Sequence, residues 1–243
     1  MKLAINAIAV TAAILLSAAT ATAVTTVVYD NGLPDFSLGG FLSDFDGSAV
    51  MGPQQNAEAF TLNSDTTISD VHWYGFYRPD PGTAIPTSDD FTIRFFADDG
   101  SGGFGGALNT PFHEENGLDV DRVFSGNTNI LGIDVYEYST FIDPVDLAGT
   151  TPVWLSVVNN TVGATSEDWY WQRTEGESEI INWRNADEQV FWFQDEGNFS
   201  FSLTSTTSTS TPGTPPIPEP ATAALGLLGI AALGLHLRRR RFN

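Results

Sequence analysis

Residues with the types and spacings needed for catalysis occur in this chain, but each constellation breaks at a definite position. His113-Glu114 starts like the zinc-protease pattern H-E-x-x-H, whose second histidine is due at position 117, where Gly117 stands. Gly100-Ser101-Gly102-Gly103-Phe104-Gly105 satisfies G-x-G-x-x-G after a strand-like run. Ala107-Leu108-Asn109-Thr110-Pro111 follows it and cannot open the helix that would hold a pyrophosphate. No G-x-S-x-G is present, and a serine triad would have to use His72 or His113, since His236 lies in the C-terminal tail. A lone histidine among aromatics is usually a packing residue. No catalytic residue is assigned, and the chain is read as not an enzyme.

Two kinds of binding chemistry remain. Asp44, Asp46, Asp98, Asp99, Asp119 and Asp121 sit in turns rich in Gly, Asn and Ser. There carboxylates and freed carbonyls could supply the six to eight oxygens that calcium prefers, although no EF-hand pattern is matched. A structural calcium at Asp98, Asp99, Asp44 and Asp46 is the expectation, with no cofactor required. Six tryptophans, Trp73, Trp154, Trp169, Trp171, Trp183 and Trp192, raise sugar stacking. Trp169 and Trp171 would share one face of a strand and could form a platform. The alternative is that these are core aromatics. Paired carboxylates could also serve glycoside hydrolysis, but in so acidic a chain some pair always lies close together.

The elements that must position these residues read as strands. Val24–Asp30, Ala57–Leu62, Thr67–Tyr77 and Phe91–Ala97 are β-branched or aromatic runs bounded by turn residues. So are Val120–Phe124, Ile133–Phe141, Val153–Val158, Asp168–Arg173, Glu179–Trp183, Val190–Phe193 and Phe199–Leu203. Thr67–Tyr77 is aromatic on both faces, as expected of a central strand. Many short strands without helical period predict an all-β fold, a single β-sandwich of jelly-roll type spanning residues 24–203. Thr204–Ile217 is almost entirely Thr, Ser, Pro and Gly and is expected to be a flexible stalk open to glycosylation.

Charge and the two ends bound the setting. From Val24 to Ile217 five arginines face 29 acidic residues, with no lysine, for a formal charge of −24. Such a field repels nucleic acid and anionic lipid. There is no cysteine, which excludes thiolate nucleophiles and cysteine zinc sites. Residues 1–23 combine Lys2, an apolar core from Ala7 to Ala19 and the small-x-small site Ala21-Thr22-Ala23, the pattern of a secretory signal peptide. At the other end an apolar run from Ala221 to Leu237 would span roughly 26 Å as a helix, enough for a thin hydrocarbon core. Arg238, Arg239, Arg240 and Arg241 would hold its end on the cytoplasmic side.

Pro218-Glu219-Pro220, the Leu/Gly/Ala-rich run and the arginine cluster, in that order over residues 218–243, resemble the PEP-CTERM sorting signal of Gram-negative bacteria. The resemblance implies that an exosortase in the inner membrane recognises the motif, removes the tail and passes the protein to the cell surface or extracellular matrix, after signal peptidase has acted on the other end. A permanent single-span anchor or a buried apolar helix is the plainer alternative. The strands around Val71-His72-Trp73-Tyr74-Gly75, Phe91–Phe96, Pro152–Val157, Trp169-Tyr170-Trp171 and Phe199–Leu203 resemble extracellular domains that carry such tails. That likeness supports a β-sandwich and supplies no activity. The expected partner outside the cell is extracellular polysaccharide; a secreted glycoside hydrolase or lyase on the same scaffold is the alternative.

Overall fold

A computed structural model describes residues 22–45, 53–78, 85–98, 110–118, 120–160, 168–175, 180–185 and 192–209. Residues 24–207 form one compact unit, and the other grouping, residues 1–23 with 208–243, lies almost wholly outside the described residues. The expected signal peptide and sorting tail, and the stalk beyond residue 209, therefore fall outside them.

The described residues are all-β, without a helix. In chain order the strands are β1 (Thr22–Asp30), β2 (Gly40–Leu42), β3 (Gln54–Thr61), β4 (Thr66–Arg78), β5 (Phe91–Ala97), β6 (His113–Leu118) and β7 (Asp121–Thr128). They continue as β8 (Asp134–Leu147), β9 (Pro152–Asn159), β10 (Asp168–Gln172), β11 (Ile180–Asn185), β12 (Phe193–Glu196) and β13 (Phe201–Thr209). One sheet runs β1-β13-β4-β10-β2, with β8 also on β4 and β7 on β8; the second runs β12-β11-β3-β9-β5-β6.

β4 organises the first sheet, as its two aromatic faces imply. β8 pairs along one edge from Thr66 to Gly75. The other edge is divided between β13, opposite Asp70–Trp73, and β10, opposite Gly75–Arg78. Val71, Trp73 and Tyr77 turn inward and are fully buried, while His72 and Tyr74 turn outward. A register shift between Ile68 and Asp70 lets Ile68 and Val71 both reach the core although an odd count separates them. Opposite this shift β8 carries Pro144, which cannot donate to a ladder and is tolerated at such an irregularity.

The inner faces of the two sheets share one hydrophobic cluster. Phe91 of β5 is at its centre, with ring centroids 5.2 Å from Trp73, 5.3 Å from Tyr138 and 5.0 Å from Trp169, all on the first sheet. Edge-to-face pairs of this kind add about 0.5–1.5 kcal/mol each beyond their area burial. Gly75 makes room for the arrangement: a Cβ there would lie 2.3 Å from Cζ2 of Trp169. Polar ties cross-link the layers. Glu58 of β3 is fully buried and accepts from Asn31 Nδ2 at 2.6 Å and from the Phe199 amide at 2.5 Å. Asp89 accepts from Tyr77 Oη at 2.5 Å and pairs with Arg122 Nη1 at 3.0 Å, and Asn159 Nδ2 donates to Tyr77 Oη at 2.7 Å.

Two expectations about boundaries change. The stalk was expected from Thr204, but β13 continues to Thr209, because threonine and serine suit a strand that has a partner. Thr204 is buried, its Oγ1 donating to Asp70 Oδ2 at 3.1 Å, and the Thr206 amide donates to Ser69 Oγ at 3.0 Å. β2 and β6 have no counterpart among the predicted strands.

Candidate functional site

Cross-strand register assembles a polar array on the outward face of the first sheet. Asp70, His72 and Tyr74 project from β4 at intervals of two, which places them on one side of the strand. On β8, Phe141 lies opposite Asp70, Ser139 opposite His72 and Glu137 opposite Tyr74. On β13, Thr204 and Ser202 flank Asp70 and His72 from the other edge. β7 adds Asp121 beside Ser139 and Val123 beside Glu137. The result is a polar cluster drawn from four strands, in which Asp70 and Thr204 are buried, His72, Tyr74, Glu137 and Ser139 are half-buried and Asp121 is exposed.

His72 is held between acids. Its Nε2 lies 2.8 Å from Asp70 Oδ2 and its Nδ1 lies 3.9 Å from Glu137 Oε1. The hydrogen bond to Asp70 raises the His72 pKa above the ordinary histidine value; burial opposes this, and the negative charges of Asp70 and Glu137 add to it. Tyr74 is pushed up to about 12 by burial first, then by the charge of Glu137 and a hydrogen bond to it. The phenol therefore stays protonated, and the neighbouring acids shift the imidazole toward its cationic form. Nε2 is held by Asp70, while Nδ1 lies beyond hydrogen-bond distance of Glu137, so the group can meet a hydrogen-bonding ligand.

Elsewhere the chain carries a segment whose role is legible without coordinates. Residues 216–241 match the PEP-CTERM protein-sorting motif. No curated protein matches the chain. The PEP-CTERM match contains Pro218, Glu219, Pro220 and Arg238 to Arg241, the residues read as the sorting tripeptide and its orienting charges. A sorting signal of this kind implies export and processing at the membrane by an exosortase. Among the described residues no helix is long and apolar enough to cross a membrane, and Ala221–Leu237 lies outside them.

Within the domain that the PEP-CTERM tail follows, the predicted site residues are dispersed. Trp169 and Trp171 do share one face of β10, but that face is the inner one. Both are fully buried, Trp169 against Phe91 and Trp171 stacked on Phe199 at 4.3 Å. The expected sugar platform is thus corrected: rings without exposed area cannot meet a sugar, and these two fill the core. Asp44 is buried, with Oδ2 accepting from the Trp169 amide at 2.9 Å, and serves to seat β10. Asp98 follows β5; Asp46, Asp99, Asp119 and the glycine run 100–106 lie outside the described residues. No group of three or more His, Cys, Asp or Glu among the described residues could hold a metal ion. His113 and Glu114 fall on strand β6 instead of a helix, where Glu114 pairs with Arg94 (Nε to Oε2 2.5 Å) and His113 Nε2 lies 3.0 Å from Glu115 Oε1. The array around His72 had one signal in the sequence, a histidine inside an aromatic strand, and its partners come from strands far away along the chain.

Proposed function

We propose that this is a non-enzymatic surface or matrix protein whose acidic domain, a β-sandwich of jelly-roll type, associates with extracellular polysaccharide after export. The observation that carries the reading is the sorting motif at residues 216–241, which sends the domain out of the cell through an exosortase. A formal charge of −24 between Val24 and Ile217, without a lysine, suits a soluble domain and disfavours nucleic acid and anionic lipid as partners. The half-buried His72, Glu137 and Ser139, with the exposed Asp121, offer donors and acceptors on one sheet face, the kind of surface that polyhydroxyl ligands engage.

Replacing Pro218-Glu219-Pro220 by alanines tests the reading. The variant should remain in the inner membrane with its C-terminal arginines attached, while the parent reaches the surface. Equal surface delivery of both would overturn the sorting part of the proposal.

A further inference from the structure

The register of β7 and β8 leaves a notch beside the array. β7 starts at Asp121, opposite Ser139, so Thr140 and Phe141 run on with no β7 partner. A hollow of about 230 Å³ occupies this step, lined by Val120, Asp121, Ser139, Thr140 and Phe141. Phe141 is 74% exposed in the middle of a strand, the second most exposed large apolar side chain described. Phe141 thus presents most of its phenyl ring to solvent at the wall of the hollow. Next to it are the Asp121 carboxylate and the Ser139 hydroxyl, and one strand further the imidazole of His72.

We propose that this notch is the subsite for one uncharged hexose unit of a polysaccharide, with the apolar face of the sugar ring on Phe141 and its hydroxyls on Asp121 and Ser139. The inference rests on the reading that the domain meets polysaccharide. The notch lies below the about 300–1,000 Å³ typical of drug-sized ligands, which suits a single ring whose chain continues over the open face. The Asp121 and Glu137 carboxylates on this side, in a domain of −24, disfavour polyuronate and sulfated chains by like-charge repulsion and leave neutral ones. The larger hollow, about 510 Å³ near Asp65, Thr67 and Asp146, has no aromatic wall among the described residues. Its carboxylates are already in use: Asp146 Oδ1 accepts from Thr67 Oγ1 at 2.5 Å and Asp65 Oδ1 from the Gly149 amide at 2.8 Å.

The test is affinity electrophoresis of the full chain through gels containing dextran, galactomannan or alginate, with Phe141→Ala, Asp121→Asn and, as a control, Phe193→Ala. Phe193 is 45% exposed on the other sheet. The parent and Phe193→Ala should be retarded by at least one neutral polymer and not by alginate. Phe141→Ala and Asp121→Asn should each weaken retardation roughly tenfold, as expected for an anchor at the centre of a small site. Their melting temperatures should match the parent, because both side chains are exposed. Retardation of all four proteins alike would overturn the notch and leave the polysaccharide reading standing. Retardation by alginate alone would overturn the neutral sugar. Retardation by no polymer would overturn both readings.

Discussion

Gly75→Ala is expected to destabilise the domain through one identifiable collision. The new Cβ would sit 2.3 Å from Cζ2, 2.5 Å from Cε2 and 2.7 Å from Nε1 of Trp169. All three atoms belong to an indole that has no exposed area and is hemmed in by Phe91 and Tyr138, so it cannot swing aside. Overpacking of this kind costs about 1–3 kcal/mol. Alanine also restricts the unfolded chain, which returns about 0.4–1 kcal/mol. The net loss is then about 1–2 kcal/mol, and in a domain of this size it should lower Tm by about 2–8 °C. Calorimetry on four proteins isolates the cause: the parent, Gly75→Ala, Trp169→Phe and the double variant. Because the phenyl ring is smaller than the indole, Gly75→Ala should cost less in the Trp169→Phe background, with a coupling of about 1 kcal/mol. An identical cost in both backgrounds would refute the packing account of Gly75 and Trp169.

Three further outcomes follow from the same structure. His72 has a raised pKa in the fold, so its stabilising contribution is full below the ordinary value of 6.5 and fades as pH rises through the higher folded value. The gap in urea midpoint between the parent and His72→Gln should therefore be widest near about pH 5.5 and close in alkaline buffer, and a gap that widens with pH would contradict the pairing with Asp70 and Glu137. Arg122→Met leaves the buried Asp89 carboxylate with Tyr77 but without its cation, and should cost about 3 kcal/mol by urea denaturation, more than Arg122→Met combined with Asp89→Leu. A fragment ending at Leu203 should melt below one ending at Thr209, since it lacks the Thr204 and Thr206 hydrogen bonds to Asp70 and Ser69; equal melting would return the stalk boundary to residue 204.

Strands with a strong period were legible from residue types. Phe91–Ala97 coincides with β5, and Thr67–Tyr77 differs from β4 by one residue at each end. β6, with sequence His113-Glu114-Glu115-Asn116-Gly117-Leu118, carries no apolar alternation, because it is an edge strand paired only with β5 and held by Arg94–Glu114. β2 is three residues in a glycine-rich stretch, and only its partner β10 gives it strand form. The two tryptophans of β10 were correctly assigned to one face, but alternation alone cannot tell which face is buried. That follows from the packing of Phe91 and Phe199 against them. The His72 array and the Phe141 notch depend on register among β4, β7, β8 and β13, and no local pattern encodes which residue lies opposite which. The tail was the reverse case: its three parts are contiguous, so residues alone sufficed.

Mass spectrometry of the termini of the surface-exposed protein bears most directly on the central claim, that the C-terminal motif delivers this domain outside the cell. The account predicts a mature chain that ends before the Ala221–Leu237 run and lacks Arg238 to Arg241. A surface protein still carrying its sequence through Asn243 would contradict it.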